Sequence, residues 1–227
     1  MKCLAINTAG KILSIAVVED DKCLYLFEEE ERRGQGNLLI GYIEKAIKEL
    51  NMPFEDIDLM AVVTGPGSFT GIRVGIAATR GYSIATRIPV IGVSAFDMFE
   101  KLKEGKINII AIESWREELY FAFRDEAGKD ITSPVNISPK SLLEYLKSNN
   151  ILKSKFIVSG DAKDKLKEVL PEAEFIDCSS INAVDVAKIA MAKKDKSSNS
   201  FEKPKPYYMR TADISVSKKI VKRTIVE

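Results

Sequence analysis

The chain has 227 residues, with 34 Lys and Arg against 33 Asp and Glu and a formal net charge of +1. That length suits one large domain or two small ones, and the near-neutral balance gives no overall electrostatic drive toward nucleic acid, so any RNA in its work is expected to be held mostly by something else. Histidine is absent, which excludes a Ser-His-Asp triad, a Cys-His pair and a His-based metal site, and leaves catalysis to carboxylates, Lys, Tyr, Cys or a nucleotide-bound metal.

Residues 2–7 read as a central strand, Thr8-Ala9-Gly10-Lys11 as a hairpin turn, 12–18 as a second strand and 22–27 as a third, together a meander. The charged run 28–33 reads as a solvated strand end and loop. Asn37 can cap a helix over 38–50. Leu39, Ile43, Ala46 and Leu50 form one stripe on it, and Ile40 and Ile47 widen that stripe beyond what one sheet face needs. Such a helix is either deep in the core or also faces a partner.

Residues 59–63 read as a buried strand. They lead into Gly65-Pro66-Gly67-Ser68-Phe69-Thr70-Gly71-Ile72-Arg73-Val74-Gly75, and a small-residue helix over 76–85 follows. Ser68 or Thr70 can cap that helix. The loop has neither the Lys-Ser/Thr of a Walker A sequence nor dinucleotide glycine spacing. Two readings stay open: a tight turn that lets a helix pack closely on a sheet, or a loop whose N–H groups meet an anion. Gly71, Gly75 and Gly81, with Ala77, Ala78 and Ala85, call for a close neighbour, because each interior glycine costs a helix about 1 kcal/mol relative to alanine.

A strand at 90–93 and a helix at 95–103, capped by Ser94, complete the first half. The second half repeats the order, with strands at 106–112, 118–123 and 130–137, a helix at 139–148, a strand at 156–159, a helix at 162–170, a strand at 174–176 and a helix at 183–192. Two copies of β-β-β-α-β-α-β-α suggest duplication and mixed sheets with helices on both faces. Gly160-Asp161 stands where the first half has its glycine loop. Residues 193–206 read as a loop, Tyr207-Tyr208-Met209-Arg210 as an aromatic patch, and the basic stretch 214–227 as a last strand, a tail or an aid to RNA contact. Cys3, Cys23 and Cys178 lack metal-ligand spacing and suit a reducing cytoplasm. No signal peptide and no membrane-spanning run of ~20 apolar residues is expected.

The stretch GPGSFTGIRVG, between its apolar strand and small-residue helix, closely resembles the bacterial TsaB (YeaZ) family. Leu4-Ala5-Ile6-Asn7-Thr8 is similar to that family's first phosphate-loop segment, and Pro206-Tyr207-Tyr208-Met209-Arg210 to its C-terminal Pro-x-Tyr-x-Arg segment. The resemblance implies a duplicated actin/hexokinase-like (ribonuclease H-like) α/β ATPase fold. Its N-terminal subdomain (1–101) would hold the glycine loop and dimerisation helices, and a degenerate C-terminal subdomain (102–227) would hold the tail. It implies work on threonylcarbamoyladenosine, the modification beside the anticodon of ANN-decoding tRNAs. The role implied is that of a non-catalytic cytoplasmic subunit binding a TsaD-like paralogue, which carries the His-x-x-x-His metal motif. Such a chain is an inactive homologue of the M22 peptidase-like family.

By the same resemblance a TsaE-like ATPase joins the assembly, tRNA is met indirectly, and a homodimer forms when the partner is absent. ATP or ADP within the complex would touch Thr8, Gly10, Gly67, Ser68, Thr70 and Arg73. The interface would draw on Leu39, Ile43 and Ile47 of the first helix and on Ile72, Gly75, Ala78, Thr79 and Tyr82 of the second. No residue is assigned to catalysis or to a metal. Asn7 stands where many relatives have Asp, so metal-dependent ATP hydrolysis by this chain alone is not expected. Many relatives have a histidine near the start of the first helix; here the segment reads Arg33-Gly34-Gln35-Gly36-Asn37. An independent small-molecule kinase of the same fold is the alternative, and Asp161 and Glu113 are the nearest acids by position.

Overall fold

A computed structural model describes residues 1–30, 38–178, 181–196 and 203–210, with the side chains of 195 and 196 excepted. The expected cap at Asn37 and the basic stretch 214–227 lie outside the described residues.

The meander forms as its alternation requires. Strand β1 (Lys2–Asn7) pairs antiparallel with β2 (Ile12–Glu19), from Lys2 opposite Glu19 to Asn7 opposite Ser14, and β2 pairs antiparallel with β3 (Lys22–Glu30). On its other edge β1 runs parallel to β4 (Leu59–Gly65), which runs parallel to β5 (Val90–Ser94). The sheet order is β3-β2-β1-β4-β5. The unbroken apolar runs of β1 and β4 are buried almost throughout, as central strands covered on both faces must be.

Two long helices of the first half pack on this sheet. They are α1 (Leu39–Glu49) and α2 (Phe69–Thr86). Val62 meets α2 at Gly75, whereas Cys3 lies near Lys194 of α5 (Ala183–Lys196). The register puts Ile6 beside Val62, and alternation along β1 turns Cys3 the other way. Helix α5 therefore covers the face opposite α2. It follows the second sheet in sequence yet packs on β1, β2, β4 and β5 of the first.

The second sheet repeats the first. Strand β6 (Lys106–Ile112) is antiparallel to β7 (Leu119–Arg124), which pairs with β8 (Asp130–Ile137); β6 is parallel to β9 (Lys155–Ser159), and β9 to β10 (Glu174–Phe175). The order β10-β9-β6-β7-β8 is the first sheet's topology again. Its own core gathers Phe121, Phe123, Leu142, Leu146 and Leu166, while Ile110, Ile112 and Ala122 join the first core, so the halves share packing.

Several elements depart from the sequence reading. Helix α2 begins at Phe69 rather than Ile76, because the Ser68 hydroxyl accepts the Gly71 N–H at 3.2 Å and starts the helix inside the glycine stretch. Helix α3 (Ala95–Phe99) stops short of residue 103, since the Lys101 N–H turns to Asn108 Oδ1 at 2.8 Å. The helix expected at 139–148 opens as a 3-10 turn, Pro139–Ser141, before α4 (Leu142–Ser148). The one expected at 162–170 is only a 3-10 turn, Lys163–Leu166. Pro171 disfavours the helical state at Leu170, and the remaining span is too short to hold a helix by itself.

Candidate functional site

The glycine stretch meets the β1–β2 turn backbone to backbone. The Ser68 N–H donates to the Ala9 carbonyl at 2.8 Å, and the Thr8 hydroxyl, buried, donates to the Gly71 carbonyl at 2.7 Å. A Cβ on Gly67 would lie 2.3 Å from the Ala9 oxygen, and one on Gly71 1.8 Å from the Thr8 oxygen, so no other residue fits either place without moving the turn. Asn7 Oδ1 accepts the Ala9 N–H at 3.1 Å and shapes the turn as an Asx motif. Three donors of the loop are thus used within the chain: Ser68, Gly71 and Ile72, the last bonding the Ser68 carbonyl at 2.9 Å. Close packing accounts for these glycines.

A C-terminal segment, residues 203–210, runs back over the loop. Pro204 lies against Gly92, and the Tyr207 N–H donates to the Thr64 carbonyl at 2.8 Å. Tyr208 packs its ring on Phe69 with centroids 4.9 Å apart. Arg73 is held by this pair: its Cζ lies 3.9 Å from the Phe69 centroid, and its Nε donates to the Tyr208 hydroxyl at 2.8 Å.

These parts wall a cleft of about 510 Å³. One side is Ser68, Phe69 and Thr70. The second is the β6–β7 connection, with Ser114, Trp115 and Arg116 above Tyr120. The third is 207–210, ending in Arg210. No carboxylate lines it among the described residues. Burial pushes the Tyr120 hydroxyl up, and the charges of Arg210 and Arg116 oppose that shift, which puts both guanidinium groups near its ring. Glu118 stands 3.9 Å from Arg210.

Of the six residues expected at nucleotide, the cleft brings together Gly67, Ser68 and Thr70. Thr8 is buried beneath the loop, Arg73 is clamped by two rings, and Gly10 sits apart on the β1–β2 turn with open space around it. Asp161 and Glu113 do not line the cleft. Burial raises the Asp161 carboxyl, whose Oδ1 accepts the Glu113 N–H at 2.8 Å. Glu113 accepts the Trp115 N–H at 2.9 Å and pairs with Lys165 at 2.5 Å. Among the described residues no group of three or more His, Cys, Asp and Glu side chains could hold a metal ion. The sequence reading missed Phe69, Trp115, Arg116 and Tyr120; the one tryptophan in the chain, set in a strand connection, was the available signal.

The eight expected interface residues divide. Leu39, Ile43, Ile72 and Thr79 are all but inaccessible, and Gly75 is buried against Thr8 and Val62. Ile47, Ala78 and Tyr82 are half-buried, with Tyr82 stacked on Phe54 at 4.8 Å. The outward strip of α2 is carried instead by Arg73, Ala77, Gly81 and Ile84, the last 80% exposed, and Ile40 of α1 is exposed as well. Arg80, on the same helix, has a buried Nε with no hydrogen-bond partner among the described residues.

Two sheets of one topology, the second repeating the first, define a duplicated actin-like α/β protein. The fold matches that of a ROK hexokinase from Thermus thermophilus, with a TM-score of 0.51 at 10% identity over 86% of this chain and 100% of that one. It matches YeaZ from Pseudomonas aeruginosa more fully, with a TM-score of 0.69 at 19% identity over 91% and 99%. Residues 32–215 match the sequence pattern of the family described as TsaD, tRNA N6-adenosine threonylcarbamoyltransferase. The chain belongs to that family, and within it to the TsaB/YeaZ group. The tRNA threonylcarbamoyladenosine biosynthesis protein TsaB of Escherichia coli is 32% identical to it over 134 residues, 56% of this chain and 58% of that protein. The matched stretch spans between 41% and 62% of the length of the first three curated relatives. No helix among the described residues is long and apolar enough to cross a membrane.

Proposed function

We propose that this chain is a cytoplasmic accessory subunit in tRNA threonylcarbamoyladenosine biosynthesis, one that binds and supports a TsaD-like transferase and does not itself transfer the group. The observation that carries the reading is the family membership over residues 32–215. The chemistry of the chain supports it: 227 residues without histidine cannot form the metal motif expected of the paralogue. The shape supports it too. Helix α2 turns a narrow strip of small residues outward, ending in the exposed Ile84. Small residues allow a second helix to approach closely. The domain division at 101/102 is kept as part of this reading, with α5 serving as the clasp between the two units.

The test is reconstitution with the TsaD-like and TsaE-like proteins of the same organism and an ANN-decoding tRNA. Omitting this chain should abolish threonylcarbamoyl transfer. The variant Ile84→Glu should keep the far-UV spectrum of the folded chain yet no longer co-elute with the TsaD-like protein, because it places a charge on a close-packed helix face. Transfer that proceeds without the chain would sink the proposal, as would transfer by the chain alone.

A further inference from the structure

The cleft between the glycine loop, the β6–β7 connection and residues 207–210 includes none of Ala77, Gly81 and Ile84 of the outward strip of α2. We propose that it binds an unpaired RNA segment, with a base stacked on Trp115 or the Tyr207–Tyr208 pair and phosphates against Arg116 and Arg210. This inference rests on the tRNA-modification reading and adds a direct RNA contact to it.

The geometry supports a stacking ligand. Trp115 is 49% exposed and has a φ of +57°, in the left-handed region that non-glycine residues seldom adopt. Glu113 fixes it there through the N–H groups of Ser114 and Trp115, at 3.1 and 2.9 Å. The hairpin thus displays its ring in the cleft instead of burying it. Tyr207 and Tyr208 are 41% and 39% exposed on the opposite wall. Aromatic faces beside cations in an open groove are how proteins hold single strands, whose unstacked bases offer their own faces.

The same geometry disfavours a nucleoside triphosphate. Three N–H groups of the loop already bond within the chain, and among the described residues no carboxylate lines the cleft to share a magnesium ion with a phosphate chain. Singly charged phosphodiesters need neither. Arg116 and Arg210 both line the cleft, the latter with Glu118 3.9 Å away, and their guanidinium groups are the cations a phosphodiester would meet there.

Trp115 is the only tryptophan in the chain, so its fluorescence reports on this cleft alone. The full chain is titrated with a seven-nucleotide single-stranded RNA and, separately, with AMP and ATP. The RNA should quench Trp115 saturably, and its affinity should fall with salt at a log–log slope of about −1.4 for two neutralising cations. Arg116→Ala should reduce that slope by about 0.7 without unfolding an exposed hairpin tip. Tyr208→Ala should weaken binding about tenfold. Absence of quenching by RNA, or quenching indifferent to Arg116→Ala and Arg210→Ala, would overturn the inference. So would displacement of the RNA by equimolar AMP or ATP, which would make the cleft a mononucleotide site. Capture of the TsaD-like partner, assayed in parallel on Ile84→Glu, separates the two proposals: either can fail while the other stands.

Discussion

Three glycines of α2 make a graded test of why the loop is glycine-rich. A Cβ built on Gly71 would come 1.8 Å from the Thr8 carbonyl oxygen and 3.0 Å from its carbon, both backbone atoms that cannot swing away. On Gly75 it would come 2.5 Å from Thr8 Oγ1 and 3.2 Å from a Val62 methyl, side-chain atoms that can give a little. On Gly81, in the same helix, it would meet nothing within 4 Å. Alanine gains a helix about 1 kcal/mol over glycine, so Gly81→Ala should stabilise the protein by up to that amount. For Gly71→Ala the turn must move off the helix. That costs the ~1–3 kcal/mol usual for overpacking. It also costs about 1 kcal/mol each for the Thr8–Gly71 and Ser68–Gly71 hydrogen bonds. After the helix gain, the net loss is about 3 kcal/mol, and Gly75→Ala should fall between the two. Urea unfolding followed by circular dichroism reads the order directly, and at about 3 kcal/mol per molar the Gly71→Ala midpoint should drop by ~1 M. A Gly71→Ala protein as stable as Gly81→Ala would refute the packing account and return the glycines to an anion-binding role.

The other expectations concern the second half and the thiols. Arg124 donates to Asp97 at 2.8 Å, Glu100 at 2.6 Å and Asp130 at 3.0 Å, and Lys193 of α5 reaches Asp97 at 2.8 Å. Arg124→Met should leave Asp97 with Lys193 alone and take the guanidinium from Glu100 and Asp130, and cost about 2 kcal/mol, less than a fully buried pair because the acids are partly exposed. At this size that lowers Tm by ~6 °C in differential scanning calorimetry; no change in Tm would show that the cluster does not hold the halves. Burial pushes the Asp97 carboxyl up, but Lys193 and Arg124 outweigh it and hold it below its ordinary value. Its contribution is therefore full above the ordinary carboxylate value of about 3.9 and is lost as pH falls through the depressed one, so the loss of wild-type stability below about pH 4 should flatten in an Arg124→Met, Lys193→Met double variant. Burial, opposed only by Lys194, drives the Cys3 thiol up to about 12, whereas Cys23 is exposed. Alkylation of the folded protein at pH 8 should label Cys23 and spare Cys3, as read by peptide mass spectrometry; equal labelling would contradict the buried position of β1.

What the sequence made legible was whatever follows from period and punctuation. The meander, the parallel strands and the duplication came from apolar runs bounded by turn residues, and the repeated sheet order bears that out. A cap at Ser68 or Thr70 was legible from residue type, and Ser68 is the one that caps. Helix ends were less legible where one hydrogen bond decided them, as at Lys101 and Asn108, since no periodicity announces a side chain arriving from the next strand. Faces were harder still. The stripe of Leu39 and Ile43 and the run of Ile72, Gly75 and Thr79 were rightly seen as unusual, but a pattern cannot say whether an apolar face meets its own sheet or a partner. These residues lie in the chain's own core, and Ala77, Gly81 and Ile84 lie outside it. That reversal sharpens the interface argument. Gly71 and Gly75 are there because Thr8 lies against them, whereas Gly81 meets nothing of its own chain among the described residues that requires it. Gly81 has open space around it and Ile84 one turn away, and the partner contact proposed above would fill that space. Gly81→Ala should then stabilise the isolated chain yet weaken its hold on the TsaD-like partner, two opposite signs from one methyl group that calorimetry and co-elution would each read.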